Sequence, residues 1–345
     1  MKTSRLILLR RSLYHAHPPE SNKTGVIFFY FLQKTFISGK ILPYRTHLFI
    51  PTPHIVNRGD RILNILMYAA ALIMMLFHPD TSIHSAQNAL RLWSMDVVPS
   101  LFPYMVLCRI VSVRLKQYHF PAGTAAILLG FFGGSPSGSA ILAGYAYRFP
   151  KRKLLALCAV TGTLSPMFLL GTAASWLPSE LPRGILLISH SFGALLTAGL
   201  ILISQKTRTS IPADDSVIPT IQVKPDAIDE SIHAVLHAGG CIVFYSVLAD
   251  QLSRLPGINN AASAIIHAFL EVSGGMHALS KLSLPPEIIS TLIAGASGFT
   301  GISVLSQNNI FLSRLGIKIS DLIRIGLLRA FFSACLMHLI CSLFV

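Results

Sequence analysis

The sequence predicts an all-α polytopic membrane protein: two related halves, inverted if charge placement is followed, each with a re-entrant helical hairpin. Three observations carry this. Hydrophobic residues make up 52% of the chain and charged residues only 12%, against about 25% charged in an ordinary soluble domain. A helix-breaking run, Gly130-Phe-Phe-Gly-Gly-Ser-Pro-Ser-Gly-Ser139, lies between apolar stretches. A second run, Gly295-Ala-Ser-Gly-Phe-Thr-Gly-Ile-Ser303, repeats the theme in the C-terminal part. Glycines and proline free backbone N–H and C=O groups. At membrane depth these are tolerated only inside protein or beside a watery cavity, as in the broken helices of transporters.

Residues 1–60 carry nine Lys or Arg against two acids, and prolines flank their apolar patch Val26–Leu32. They read as a basic, disordered cytoplasmic extension or as a start placed too early, with the second favoured because organised patterning begins near Arg61. The first membrane half spans 61–204. Ile62–Phe77 is its first apolar run, followed by Pro79. Ser82–Val98 has apolar residues at helical spacing (Ile83, Ala86, Ala89, Leu90, Trp93, Val97) and predicts an amphipathic interfacial helix, ended by Pro99 before the span Leu101–Val113. Arg114 and Lys116 precede Ala122–Tyr147, and Arg148, Lys151, Arg152 and Lys153 follow it. Two basic flanks on the cytoplasmic side make that segment a hairpin. Leu154–Leu177 and Gly184–Ser204 are the next candidate spans.

The polar stretch Gln205–Asp229, with Pro212, Pro219 and Pro225, predicts an exposed linker between the halves. The second half, 230–345, then starts over. An amphipathic Ile232–His237 precedes apolar Gly240–Leu252, then Ala261–Val272, a hairpin within Pro285–Gln307, and a last span Leu322–Val345.

Candidate functional residues follow from these breaks. Glu271 is an ionisable group in an apolar helix, four positions after His267. It is either a ligand for solute or proton, tuned by His267, or an interfacial Glu–His pair meeting water. Ser135, Ser137, Ser165 and Thr172 offer hydroxyls, and Gln307 an amide beside the second break; serines in membrane helices also serve packing. Gly133, Gly134, Gly138, Gly298 and Gly301 are the hairpin glycines, and Asn308 and Asn309 read as caps. His233 and His237 at i,i+4 lack a third ligand, so no metal is expected. Asp96 and Asp250 are candidates to pair with Arg109 or Arg254. The five cysteines lie in apolar segments without CxxC spacing and read as small buried hydrophobes. The formal charge of +14 reflects basic loops and not a nucleic-acid partner. No Walker lysine, HExxH or nucleophile elbow is present, so neither an enzyme nor a cofactor is expected.

Five segments together resemble the YlbJ family of sporulation integral membrane proteins: Leu92-Trp-Ser-Met-Asp-Val-Val-Pro-Ser-Leu-Phe-Pro103, Gly134-Ser-Pro-Ser-Gly138, Ser165-Pro-Met-Phe-Leu-Leu-Gly-Thr172, Glu271-Val-Ser-Gly-Gly275 and Gly298-Phe-Thr-Gly-Ile-Ser-Val-Leu-Ser-Gln307. The likeness runs from about Arg61 to the C-terminus. It implies membership of the nucleoside-recognition (Gate) superfamily, a transporter-like core and the inner membrane of a spore-forming bacterium. Two family asparagines are replaced here, one within Thr161-Gly-Thr-Leu164 and one by Gly274. The function expected is movement or gating of a small polar solute, nucleoside-like or anionic, during sporulation. The alternative is a non-transporting scaffold for spore envelope assembly. Expected partners are membrane lipid and the solute, with self-association open.

Overall fold

In hydrocarbon a backbone can satisfy its own N–H and C=O groups locally only as a helix, and every regular element among the described residues is helical. The structure, a computed structural model, describes residues 69–118, 121–145, 149–204 and 227–344, all within one unit, Leu66–Val345. The basic segment 1–60 and linker positions 205–226 lie outside the described residues, as does the start of the first apolar run; its remainder, 69–77, is helical.

Among the described residues, six stretches are long and apolar enough to cross a membrane: Pro79–Leu115, Lys151–Gly171, Gly184–Ser204, Ala227–Ser253, Pro286–Leu315 and Ile319–Leu343. The protein is therefore a polytopic α-helical membrane protein. Its outward faces are apolar, with Phe192, Leu195 and Leu196 exposed on one span, Phe244 on another and Leu327, Phe331 and Leu339 on the last. Such rows meet lipid chains at no desolvation cost.

The first crossing among the described residues comprises α1 (Pro79–Leu92), a π-turn (Trp93–Val97) and α2 (Val98–Gln117). Pro99 therefore does not end the helix, contrary to the sequence expectation. The widened turn before it eases the clash between a proline ring and the preceding carbonyls. Hairpin α3 (Ala122–Gly133) and α4 (Ser137–Tyr145) follows. Next come α5 (Lys151–Thr161) and α6 (Pro166–Gly171), two pieces of one crossing, and α7 (Gly184–Ser204). The second half opens with α8 (Ala227–Ser253), one helix through Gly239 and Gly240 where two elements were expected. Gly239 continues the helix because its bare Cα receives the Trp93 ring, whose Nε1 donates to Val235 O at 3.1 Å.

The second hairpin is α9 (Asn260–Leu270) and α10 (Val272–Ser280). Here the structure corrects the sequence reading, which put that hairpin within Pro285–Gln307. The glycine-rich run 295–303 instead interrupts a crossing made of α11 (Pro286–Phe299) and α12 (Gly301–Leu312). The apolar stretch in α9 is 11 residues, Asn260–Leu270, about 16 Å of helix and half a hydrocarbon core. It packs against α10. The last span, α13 (Ile319–Phe344), lies against both α7 and α11.

Each half thus reads crossing, short hairpin, broken crossing, crossing. The hairpins come in from opposite ends of the bundle. The α3–α4 base lies near the start of α5, with Gly123 close to Phe149 and Lys153, and Lys151 pairs with Asp321 of α13 at 3.4 Å at that end. The α9–α10 base lies at the other end, where Ser280 and Pro286 share a cleft of about 380 Å³ with Ser175–Pro178, beyond α6.

Charged and polar side chains pair between the halves and within the second, though not as expected. Arg109 of α2 pairs with Glu230 of α8 at 2.6 Å, and Asp250 with His267 at 3.1 Å. The cysteines are free; Cys108, Cys158 and Cys341 are buried, Cys241 is half-buried, and Cys335 is exposed, which departs from the all-buried expectation.

The close seam within the second hairpin gives a direct check. A Cβ on Gly275 would stand 2.1 Å from Ala268 Cα, whereas nothing lies within 4 Å of one on Gly240. Gly275→Val should cost at least about 1–3 kcal/mol, read as a lower melting temperature in detergent. Gly240→Ala should hold or slightly raise it.

Candidate functional site

Four irregular segments meet inside the bundle, and each exists because local chemistry forbids the helix to continue. At the first hairpin tip Gly134 has φ 59° and ψ −173°, a conformation open only to glycine. A side chain there would also strike Ser165, whose N would lie 2.6 Å from its Cβ. Ser135 N donates to Thr163 O at 2.7 Å, and Ser135 Oγ donates to Asn308 Oδ1 of α12. Ser137, fully buried, keeps its hydroxyl free of any protein partner. Gly133 lies beside Cys108, and Gly138 against Thr161.

The second segment, Gly162–Leu164, separates α5 from α6. Ser165 caps α6, accepting from Phe168 N at 3.2 Å, and Pro166 at the first helical position needs no donor partner. The first hairpin tip therefore rests on the first broken crossing.

The third is the tip at Glu271. Its backbone is extended at φ −137° and ψ 114°, and its carboxylate caps α10 with both oxygens. Oε1 accepts from Ser273 N at 3.0 Å and Oε2 from Gly274 N at 2.7 Å. A carboxylate at a helix N-terminus meets two orphan donors and the positive end of the helix dipole, which is how this group sits at 1% exposure.

The fourth is Thr300, between α11 and α12, at φ 70°. A β-branched residue with positive φ is strained. Its hydroxyl donates to Phe299 O at 2.5 Å and accepts from Arg329 Nη2 at 3.3 Å. Gly301 follows at φ 74°, close to Val272 N and Glu271 Cα. So the second tip rests on the second broken crossing, as the first does on its own.

Arg329, in the middle of α13, joins the two arrangements. At 1% exposure, its Nη1 donates to Gly162 O at 2.7 Å and more weakly to Ala159 O at 3.4 Å. It thereby neutralises the carbonyl end of α5 while Nη2 holds Thr300 of the other break. Its Nε has no protein partner. Gly298 brings α11 onto the Arg329 backbone. On α7, His190 is buried with Nδ1 3.2 Å from Ser297 Oγ.

Of the residues singled out from sequence, Ser135, Ser165, Gly133, Gly134 and Gly138 gather at the first tip, and Glu271, Gly298 and Gly301 at the second. Gln307 is buried but turns to its own helix, donating to Ser303 Oγ at 3.4 Å. Its neighbour Asn308, read from sequence only as a cap, makes the bond to the first tip. Sequence reasoning also missed Arg329, Thr300 and His190. An arginine inside the apolar run Leu322–Val345 was a usable signal, since a charge at membrane depth has a partner or a task.

Compared with known proteins, the chain is 22% identical over 302 residues to the sporulation integral membrane protein YlbJ of Bacillus subtilis (strain 168), covering 75% of this chain and 72% of that protein. No protein-family model matches the chain, and no solved structure matches it. Six apolar spans and likeness to an integral membrane protein make this a multi-pass bacterial membrane protein.

Because Arg329 serves both breaks, Arg329→Leu would orphan carbonyls at the end of α5, at about 1–3 kcal/mol for each buried group left unpaired. Melting in detergent should show a clear loss of stability. Arg329→Lys should recover part of it, since an ammonium can still donate to Gly162 O.

Proposed function

We propose that this protein moves or gates a small polar solute across the membrane during sporulation, at the meeting point of its two hairpin tips and two broken crossings. One observation carries the reading: short hairpins from opposite ends, each with its tip lodged against an interrupted span. The half-helix termini, backbone dipoles and hydroxyls that meet there support it, since transporters hold solute at such helix breaks. The sporulation context rests on likeness to the Bacillus protein.

Arg114, Lys151, Arg152, Lys153, Arg314 and Lys318 gather at the end where the first hairpin starts. By the positive-inside rule that end is cytoplasmic, so the first hairpin opens inward and the second outward. Ser137 and Glu271 are the side chains we assign to solute contact, with Ser135, Ser165 and Gln307 around them. A nucleoside-like or anionic solute fits the donors at these helix ends and the resemblance to nucleoside-recognition proteins. The role is one of binding and movement, without bond chemistry.

A second reading has its own support. Ser135, Ser165 and Glu271 all spend their side-chain oxygens on caps and packing, as a scaffold for spore envelope assembly would.

A thermal-shift screen separates the two readings. The full-length protein in detergent is tested against nucleosides, dicarboxylates, divalent metals and spore-core solutes. A ligand at 100 times its Kd should stabilise by about 2.7 kcal/mol, and Glu271→Gln and Ser137→Ala should abolish the shift. No shift with any compound, together with normal spores from cells carrying both variants, would sink the solute reading in favour of the scaffold.

A further inference from the structure

Three titratable side chains run inward along the second hairpin. Asp250 lies one turn from the end of α8, 37% exposed; His267, 16% exposed, has Nε2 3.1 Å from Asp250 Oδ1. Glu271, one helical turn beyond His267, is at the tip and 1% exposed. His267 is near enough to act electrostatically on the Glu271 carboxyl, and its carbonyl accepts from Glu271 N at 2.7 Å. Exposure therefore falls stepwise from the rim of the bundle to its centre, with an imidazole as the middle member. Imidazole can take a proton on one nitrogen and release one from the other.

The end of the line is built to respond to a proton. Each Glu271 oxygen accepts a different backbone N–H, from Ser273 and from Gly274. A protonated carboxyl gains an O–H donor and is the weaker acceptor at that oxygen, having lost its negative charge. The cap on α10 would then be weakened on one side, and with it the lock on the tip beside Gly301.

Other charges nearby are accounted for. Just past the end of α8, Arg254 acts on Asp250. On the α10 side, Lys281 and Asp96 act on His277, away from the tip. Helix α12 carries no titratable residue, α11 carries only Glu287 in its first turn, α1 contributes Asp80, His84 and Arg91, and the buried Arg329 of α13 reaches Thr300 beside Gly301.

We propose that Asp250 and His267 form a proton path from the outer end of the bundle to Glu271, and that protonating Glu271 releases the second hairpin tip. The proton comes from external water, crosses the imidazole and ends on the carboxylate, with no other bond made or broken. This deepens the transport reading by naming protons as the coupling ion.

Hydrogen exchange on the full chain in lipid nanodiscs tests it without any solute, so its outcome is separate from that of the ligand screen. After correction for intrinsic exchange, the Ser273 and Gly274 amides should be roughly tenfold less protected at about pH 5.5 than at about pH 7.5. Glu271→Gln should remove that dependence. In pulse labelling after a pH drop, His267→Gln and Asp250→Asn should slow the loss of protection several-fold without changing its final extent. Protection indifferent to pH, or an equal response in Glu271→Gln, overturns the switch. An unchanged rate in both path variants overturns the path.

Discussion

A helix interrupted inside a membrane exposes carbonyls at one cut end and amides at the other, and this structure depends on how those groups are answered. At the end of α5 the answer is Arg329, whose guanidinium reaches Gly162 O and Thr300 Oγ1 together. At the start of α10 it is Glu271. Neither charge pairs with the other. Each is balanced by the partial charge of a severed helix, which makes both tolerable at near-zero exposure. Placing Arg329 on α13, a helix against both α7 and α11, makes one side chain hold a break from each half.

Close approach of backbones is the second constraint, and it supports the first. Helices in lipid gain little from burying apolar surface against one another, so small residues that let backbones meet carry the packing. Gly193 against Ser333 and Gly298 against Arg329 fix α13 between its neighbours. Without that fit the guanidinium would not reach the α5 carbonyls. The glycines are thus part of the electrostatic arrangement and not only of the helix breaks.

Much of the fold was legible in the sequence: apolar run lengths gave the membrane class, and basic flanks gave the first hairpin. What misled was treating glycine and proline as unconditional breakers. Gly239 lies inside α8 because a tryptophan needs the room, and Pro99 lies inside a helix because a π-turn relieves it. The run 295–303 holds more glycine than the segment around Glu271, yet the hairpin forms at Glu271, where a carboxylate can cap the returning helix. At the site, Glu271, Ser135 and Ser165 could be picked from local context. Arg329 and Asn308 could not be assigned partners, because Gly162 and Ser135 are more than 160 positions away from them, and only the folded chain closes that distance.

The two tips share a framework but not a chemistry. One is glycine, serine and proline, with no ionisable side chain; the other turns on a single carboxylate. A bundle with identical tips would treat the two faces of the membrane alike. On the proposed transport reading, a titratable tip on one face and an uncharged one on the other would make the molecule a rectifier, with the sense of its stroke written in one residue.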